Sequence, residues 1–142
     1  MTVEETAMIA IKAHNGQKDK DGKPVILHPF FVATQGDNEI EVKAGLLHDV
    51  IEDTSITAEE LIKMGVEKEV VDVLRLLTHN KDEMSYDEYI ERIVKSGNLC
   101  ALKVKRNDLC HNIHRGTKSG LFDLVEKHEK ALDKIMAALD KF

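Results

Sequence analysis

One six-residue stretch concentrates most of the chemistry the sequence offers. His48-Asp49-Val50-Ile51-Glu52-Asp53 sets an imidazole beside a carboxylate and places an acidic residue four positions after each. On a helix, His48 and Asp49 stand about 100° apart, and Glu52 and Asp53 fall on the same two faces one turn later. One imidazole and three carboxylates therefore share an edge flanked by Ala44, Leu46, Leu47, Val50 and Ile51. Carboxylates crowded at a partly buried edge repel one another and lose hydration, which a divalent cation would relieve. A solvated acidic face on a surface helix gives the same pattern, and the hexapeptide alone leaves both readings open.

His28 and Asp108 favour the metal. His28 precedes Pro29 at the head of a second helix, and Asp108 lies in the polar stretch Lys103-Val104-Lys105-Arg106-Asn107-Asp108-Leu109-Cys110-His111-Asn112. Two imidazoles and two carboxylates (His28, His48, Asp49 and Asp108), drawn from three helices, would make a mixed N/O site suited to manganese, iron or zinc. Lys18, Lys20 and Lys23 on one loop, with Lys103, Lys105 and Arg106 near Asp108, offer positive charge for phosphates. Lys105 is the best placed, three residues before Asp108, although any one of these lysines also reads as a solvated side chain.

Other candidates are weaker. His14, at a helix end before Gly16, reads as structural or supporting, and His79 and His128 as surface residues. His111 and His114 lie three apart on the Asp108 helix, where His111 suits packing as well as phosphate. Asp19-Lys20-Asp21-Gly22 is not a calcium loop, because its Gly is fourth and no acidic residue closes it at the twelfth position. Tyr86, Tyr89 and Ile93 form a packing stripe, and neither a phosphate-cradling glycine loop nor a GxSxG elbow is present.

These residues need helices to carry them. Thr2-x-x-Glu5, Thr57-x-x-Glu60 and Ser85-x-x-Glu88 are capping boxes that open helices ending near Gly16, Met64 and Lys95. Further helices are predicted over 29–35, 39–53, 67–78, 98–114 and 121–141. No alternation long enough for a strand occurs. The expectation is a compact all-α single domain over 1–142, with seven or eight helices.

Composition narrows the function. The chain has 142 residues, 42% hydrophobic and 32% charged, with a net charge of −6 and 4% aromatics. That balance disfavours nucleic acid and anionic membranes as partners. No apolar run would span a bilayer, and the acidic start lacks a secretory pattern, so a cytoplasmic setting is expected. Cys100 and Cys110 would sit about 15 Å apart on one helix, which excludes a bridge within the chain. Reduced, buried thiols are expected.

Ala13-His14-Asn15-Gly16-Gln17, Gly22-Lys23-Pro24, His28-Pro29, His48 to Asp53 with Thr54, and Val104-Lys105…Asp108…His111-Asn112 follow the order of an HD-domain hydrolase. Over about residues 5–115 the chain resembles the hydrolase domain of the RelA/SpoT family and its small single-domain relatives. That resemblance implies an HD helical fold and Mn²⁺-dependent removal of the 3′-pyrophosphate from ppGpp, with Fe²⁺, Zn²⁺ or Ni²⁺ as other possible ions. By position, His28, His48, Asp49 and Asp108 match the family's metal ligands. Glu52 and Asp53 match its water-handling acidic pair, and Asn112 a residue on the nucleotide side. Asp19, Asp21 and Val25 stand where the family usually carries Arg, Ser and Tyr in its base-recognition loop. Arg106-Asn107-Asp108-Leu109 stands where it usually reads Leu-Ala-Asp-Arg. The expected substrate is a small nucleotide carrying a pyrophosphate or phosphate ester, with ppGpp foremost. The alternatives are an HD hydrolase of another phosphorylated nucleotide and a non-catalytic metal- and nucleotide-binding sensor. The sequence does not fix an oligomeric state.

Overall fold

A computed structural model describes every residue from Met1 to Phe142. Its helices in chain order are α1 (Val3–Ala13), α2 (Leu27–Thr34), α3 (Glu39–Leu47), α4 (Val50–Asp53), α5 (Ala58–Met64), α6 (Lys68–Leu77), α7 (Tyr86–Lys95), α8 (Leu99–Lys118) and α9 (Phe122–Leu139). All three predicted capping boxes form, at Thr2, Thr57 and Ser85. At each, the hydroxyl accepts from a backbone N–H of the first turn and the glutamate accepts from the cap's own N–H, a device of about 1 kcal/mol per helix. Gly65, at φ 103°, ends α5 as anticipated. Strand-like pairing is confined to one isolated bridge between Lys18 and Pro24, so the all-α expectation holds.

The structure departs from the predicted elements at two helices. The helix expected over 39–53 is interrupted at His48 and Asp49, which separate α3 from α4. There the imidazole Nδ1 donates to the Gly45 carbonyl at 2.7 Å and satisfies an oxygen left free at the end of α3. The break accounts for a count of nine segments. The other change is in α8, which runs to Lys118, beyond the expected His114.

The core is aliphatic, as the composition requires. Leu47, Leu61, Leu74, Ile90, Ile93, Leu102, Leu109 and Ile135 are all under 2% exposed, and each contributes about 1.5–3 kcal/mol by burial. Helix α8 runs through the middle, packing on α2, α3, α6, α7 and α9. Where α3 crosses α2, Gly45 meets Ala33 so closely that a Cβ there would lie 2.9 Å from the Ala33 Cα. That backbone contact lets His28 and His48 approach each other. Cys100 and Cys110 are free thiols, but Cys100 is only half-buried and Cys110 is exposed, on the outer side of α8. No helix is long and apolar enough to cross a membrane.

Candidate metal centre and active site

Side chains from three segments converge at the middle of α8. His28 comes from the first turn of α2, His48 and Asp49 from the break between α3 and α4, and Asp108 from mid-α8. Asp108 Oδ1 lies 2.8 Å from His28 Nε2 and 3.3 Å from His48 Nε2. The two Nε2 atoms are 3.2 Å apart. Asp49 Oδ2 is 3.3 Å from His48 Nε2 and 3.9 Å from His28 Nε2. Ligand bonds of about 2.1 Å at roughly 90–109° put neighbouring donors roughly 3.0–3.4 Å apart. The four side chains therefore have the spacing of a ligand set around one small cation, and their nitrogen and carboxylate donors suit a divalent transition ion.

Outer partners orient these donors. The carbonyl of Gly45 can only accept, so His48 Nδ1 carries a proton and Nε2 is the nitrogen turned inward. His28 Nδ1 meets His111 Nδ1 at 2.7 Å, and Phe31 stacks on His111 with ring centroids 4.1 Å apart. Burial, together with the neighbouring His28 and Arg115, pulls His111 down to about 4 and keeps it neutral. Asp108 Oδ1 also accepts from Asn112 Nδ2 at 3.0 Å, and Oδ2 accepts from Lys105 Nζ at 2.9 Å.

The charge balance matches a site made for a cation. Burial alone would depress His48, but Asp49 and Asp108 outweigh it and raise the imidazole to about 9, so a proton takes up their negative charge. Burial would raise Asp108, yet Lys105 and the two histidines hold it well below the usual carboxylate range.

Glu52 and Asp53 lie one turn beyond, and their carboxylates gather with Asp49 within 4.8 Å. Burial raises both, and the neighbouring Asp49 adds to the effect. Glu52 Oε1 accepts the His79 backbone N–H at 2.7 Å, which leaves Oε2 free. The Asp53 carbonyl accepts from Gln17 Nε2 at 3.2 Å, and Gln17 Oε1 meets His14 Nδ1 at 2.8 Å. His14, 2% exposed, thus supports the acidic pair from behind.

A cleft of about 270 Å³ opens over these residues, with Lys105 and Asn112 in its lining. Lys18 and Lys20 do not line it. They border a second cavity of about 330 Å³, bounded also by Asp19, Asp21, Leu121 and Leu124. Asn112, Arg115 and His128 line both, so the two cavities adjoin. His79 and His128, read from the sequence as surface residues, instead form cleft wall with Lys81, Tyr86, Tyr89 and Lys127. His79 stacks on Tyr89 at 4.8 Å, and His128 is half-buried with an unpartnered Nδ1. Arg115 is legible in retrospect, seven residues after Asp108 on the same helix. His79 and His128 carry no such signal, because only the packing of α6, α7 and α9 brings them in.

No protein-family model matches the chain. A guanosine-3′,5′-bis(diphosphate) 3′-pyrophosphohydrolase of Haemophilus influenzae is 36% identical over 118 residues, or 75% of this chain and 17% of that protein. A protein of the same name from Borreliella burgdorferi is 37% identical over 82 residues, 51% of this chain and 12% of its own length. A GTP pyrophosphokinase of Myxococcus xanthus is 39% identical over 66 residues, 44% of this chain and 9% of its own. The chain thus spans less than a fifth of each of these curated relatives. Among solved structures, a metazoan orthologue of SpoT described as hydrolysing ppGpp superposes with a TM-score of 0.72 at 22% identity, covering 98% of this chain and 92% of that one. By fold along 98% of its length and by sequence along three quarters of it, the chain is similar to a RelA/SpoT hydrolase-like domain.

Proposed function

We propose that this chain is a metal-dependent phosphohydrolase that removes the 3′-pyrophosphate from ppGpp, with one divalent ion, Mn²⁺, held by His28, His48, Asp49 and Asp108. The observation that carries this reading is the convergence of those four side chains with Glu52 in the lining of one cleft, with Asp53 next to them. A sensor needs the ligands, whereas hydrolysis also needs a base, and Glu52 supplies one. The activity for which two of the relatives are named favours ppGpp as the substrate. The free thiols fit a reducing cytoplasm.

The bound ion would neutralise phosphate oxygens and acidify a water molecule. The residues do the rest. Glu52, raised by burial and fixed at Oε1 by His79 N–H, accepts the water's proton at Oε2. Asp53 lies beside it and orients the same water. The water oxygen forms its bond to phosphorus as the bond to the 3′ oxygen breaks, giving pyrophosphate and GDP. Asn112 and Lys105 flank the phosphate nearest the ligands, while Lys18 and Lys20 border the cavity that takes the rest of the nucleotide.

The test is Mn²⁺-dependent pyrophosphate release from ppGpp by the native protein and by Asp49→Ala. Release is expected from the native protein, with a loss of at least about 10³-fold in the variant. No release from folded, Mn²⁺-loaded native protein would overturn the ppGpp assignment and turn the search to other phosphorylated nucleotides or to sensing.

A further inference from the structure

Asp108 is the one proposed ligand whose two carboxylate oxygens have separate duties. Oδ1 faces His28, His48 and Asn112, and Oδ2 faces only the ammonium of Lys105 at 2.9 Å. Lys105 is 8% exposed, and its ammonium has the Tyr89 ring on another side, 5.0 Å from Nζ to the ring centroid. Tyr89 is itself fixed, donating through its hydroxyl to the Leu77 carbonyl at 2.8 Å. A lysine three residues from its partner on one helix, backed by a buried ring, has little freedom to leave.

We propose that Lys105 is a positioning residue that, with Tyr89 behind it, occupies Oδ2 of Asp108 so that Asp108 offers a metal one oxygen only. The inference rests on the metal site proposed above and deepens it. A carboxylate free at both oxygens readily binds a cation through both, which takes a coordination position that water or a phosphate oxygen needs. Lys105 also repels a dication a few ångströms away. It therefore limits the affinity of the site while keeping it open, and in the metal-free protein it neutralises a buried carboxylate that would otherwise be costly.

The experiment compares native protein with Lys105→Met, Lys105→Arg and Tyr89→Leu. It uses calorimetric titration of metal-free protein with Mn²⁺ and water-proton relaxation of the Mn²⁺-loaded forms. Lys105→Met is expected to bind Mn²⁺ about tenfold more tightly and to show lower relaxivity, because one exchangeable water position is lost. Lys105→Arg keeps a cation on Oδ2 and should stay near native. Tyr89→Leu should shift both readings in the direction of Lys105→Met, by less, and carries the test if Lys105→Met does not fold. A folded Lys105→Met with native or weaker affinity and native relaxivity would overturn the proposal. Failure of the native protein itself to take up Mn²⁺ would overturn the metal site along with it.

Discussion

Around Asp108, four side chains from α2, the α3–α4 break and α8 gather, and His28, His48 and Asp108 each also have a partner behind them, at His111, the Gly45 carbonyl and Lys105. The loop from Gln17 to Val25 is held mostly by itself. Asp19 Oδ1 accepts the backbone N–H groups of Asp21 and Lys23, and Lys18 pairs with Pro24. Its outer ties are few: Ser119 Oγ to Asp21 at 2.9 Å, Arg115 to Asp19 at 4.0 Å and Gln17 to the Asp53 carbonyl. The loop carries three departures from the RelA/SpoT pattern, Asp19, Asp21 and Val25, while the buried centre departs beside Asp108 but keeps the four proposed ligands. A buried constellation tolerates little change, because each replacement strands several partners. An exposed, locally bonded loop can change which nucleotide it fits at small energetic cost.

The largest effect expected on this division comes from Glu52→Gln. It should lower kcat by about 10²–10⁴-fold while Mn²⁺ uptake, read by calorimetry, stays near native. Lost metal binding would mean that Glu52 belongs to the ligand set and that the two groups of carboxylates are one.

A smaller change is expected from the loop. Lys18→Ala combined with Lys20→Ala should raise KM for ppGpp roughly two- to tenfold with kcat unchanged, as befits exposed cations that contribute binding alone. A fall in kcat at unchanged KM would break the comparison, since the loop would then share in the chemistry.

The smallest concerns His128, which lines both cavities. Burial lowers its pKa, an effect only partly offset by Asp108, so the folded protein holds it neutral. An unfolded histidine protonates near pH 6.5. The stability tied to neutral His128 is thus fully present above about pH 6.5 and is lost as pH falls below it, because the unfolded chain then binds the extra proton. Urea midpoints at pH 7.5 and 5.5 should show a shallower acid loss for His128→Gln than for the native protein. Equal slopes would place His128 outside the buried wall.

Much of this was legible in the sequence because it is local. Three capping boxes and the glycine at 65 mark helix ends through bonds between near neighbours, and the His48-to-Asp53 spacing puts four polar groups on one edge before any tertiary contact forms. The break at His48 was not legible, since its cause is an imidazole bonding back to Gly45, which competes with continued helix. Helical periodicity alone favours continuing. The cleft wall was hidden for another reason. His79, Tyr86 and His128 meet only when α6, α7 and α9 pack, and no spacing along the chain encodes that meeting. Likewise, the proximity of Lys105 to Asp108 was readable, but its confinement by Tyr89 depended on how α7 lies against α8.

The close crossing at Gly45 gives the proposed metal centre a dependence on a residue with no side chain. Any larger residue there must push α2 from α3, because the atom it meets is the main chain of Ala33 and cannot rotate aside. His28 rides on one of those helices and His48 on the end of the other, so the gap between their nitrogens widens with that separation. One methyl group, far too remote to touch an ion, would thus act as a wedge under the coordination sphere. Its harm would show as a site too wide for its ion in a protein that still folds.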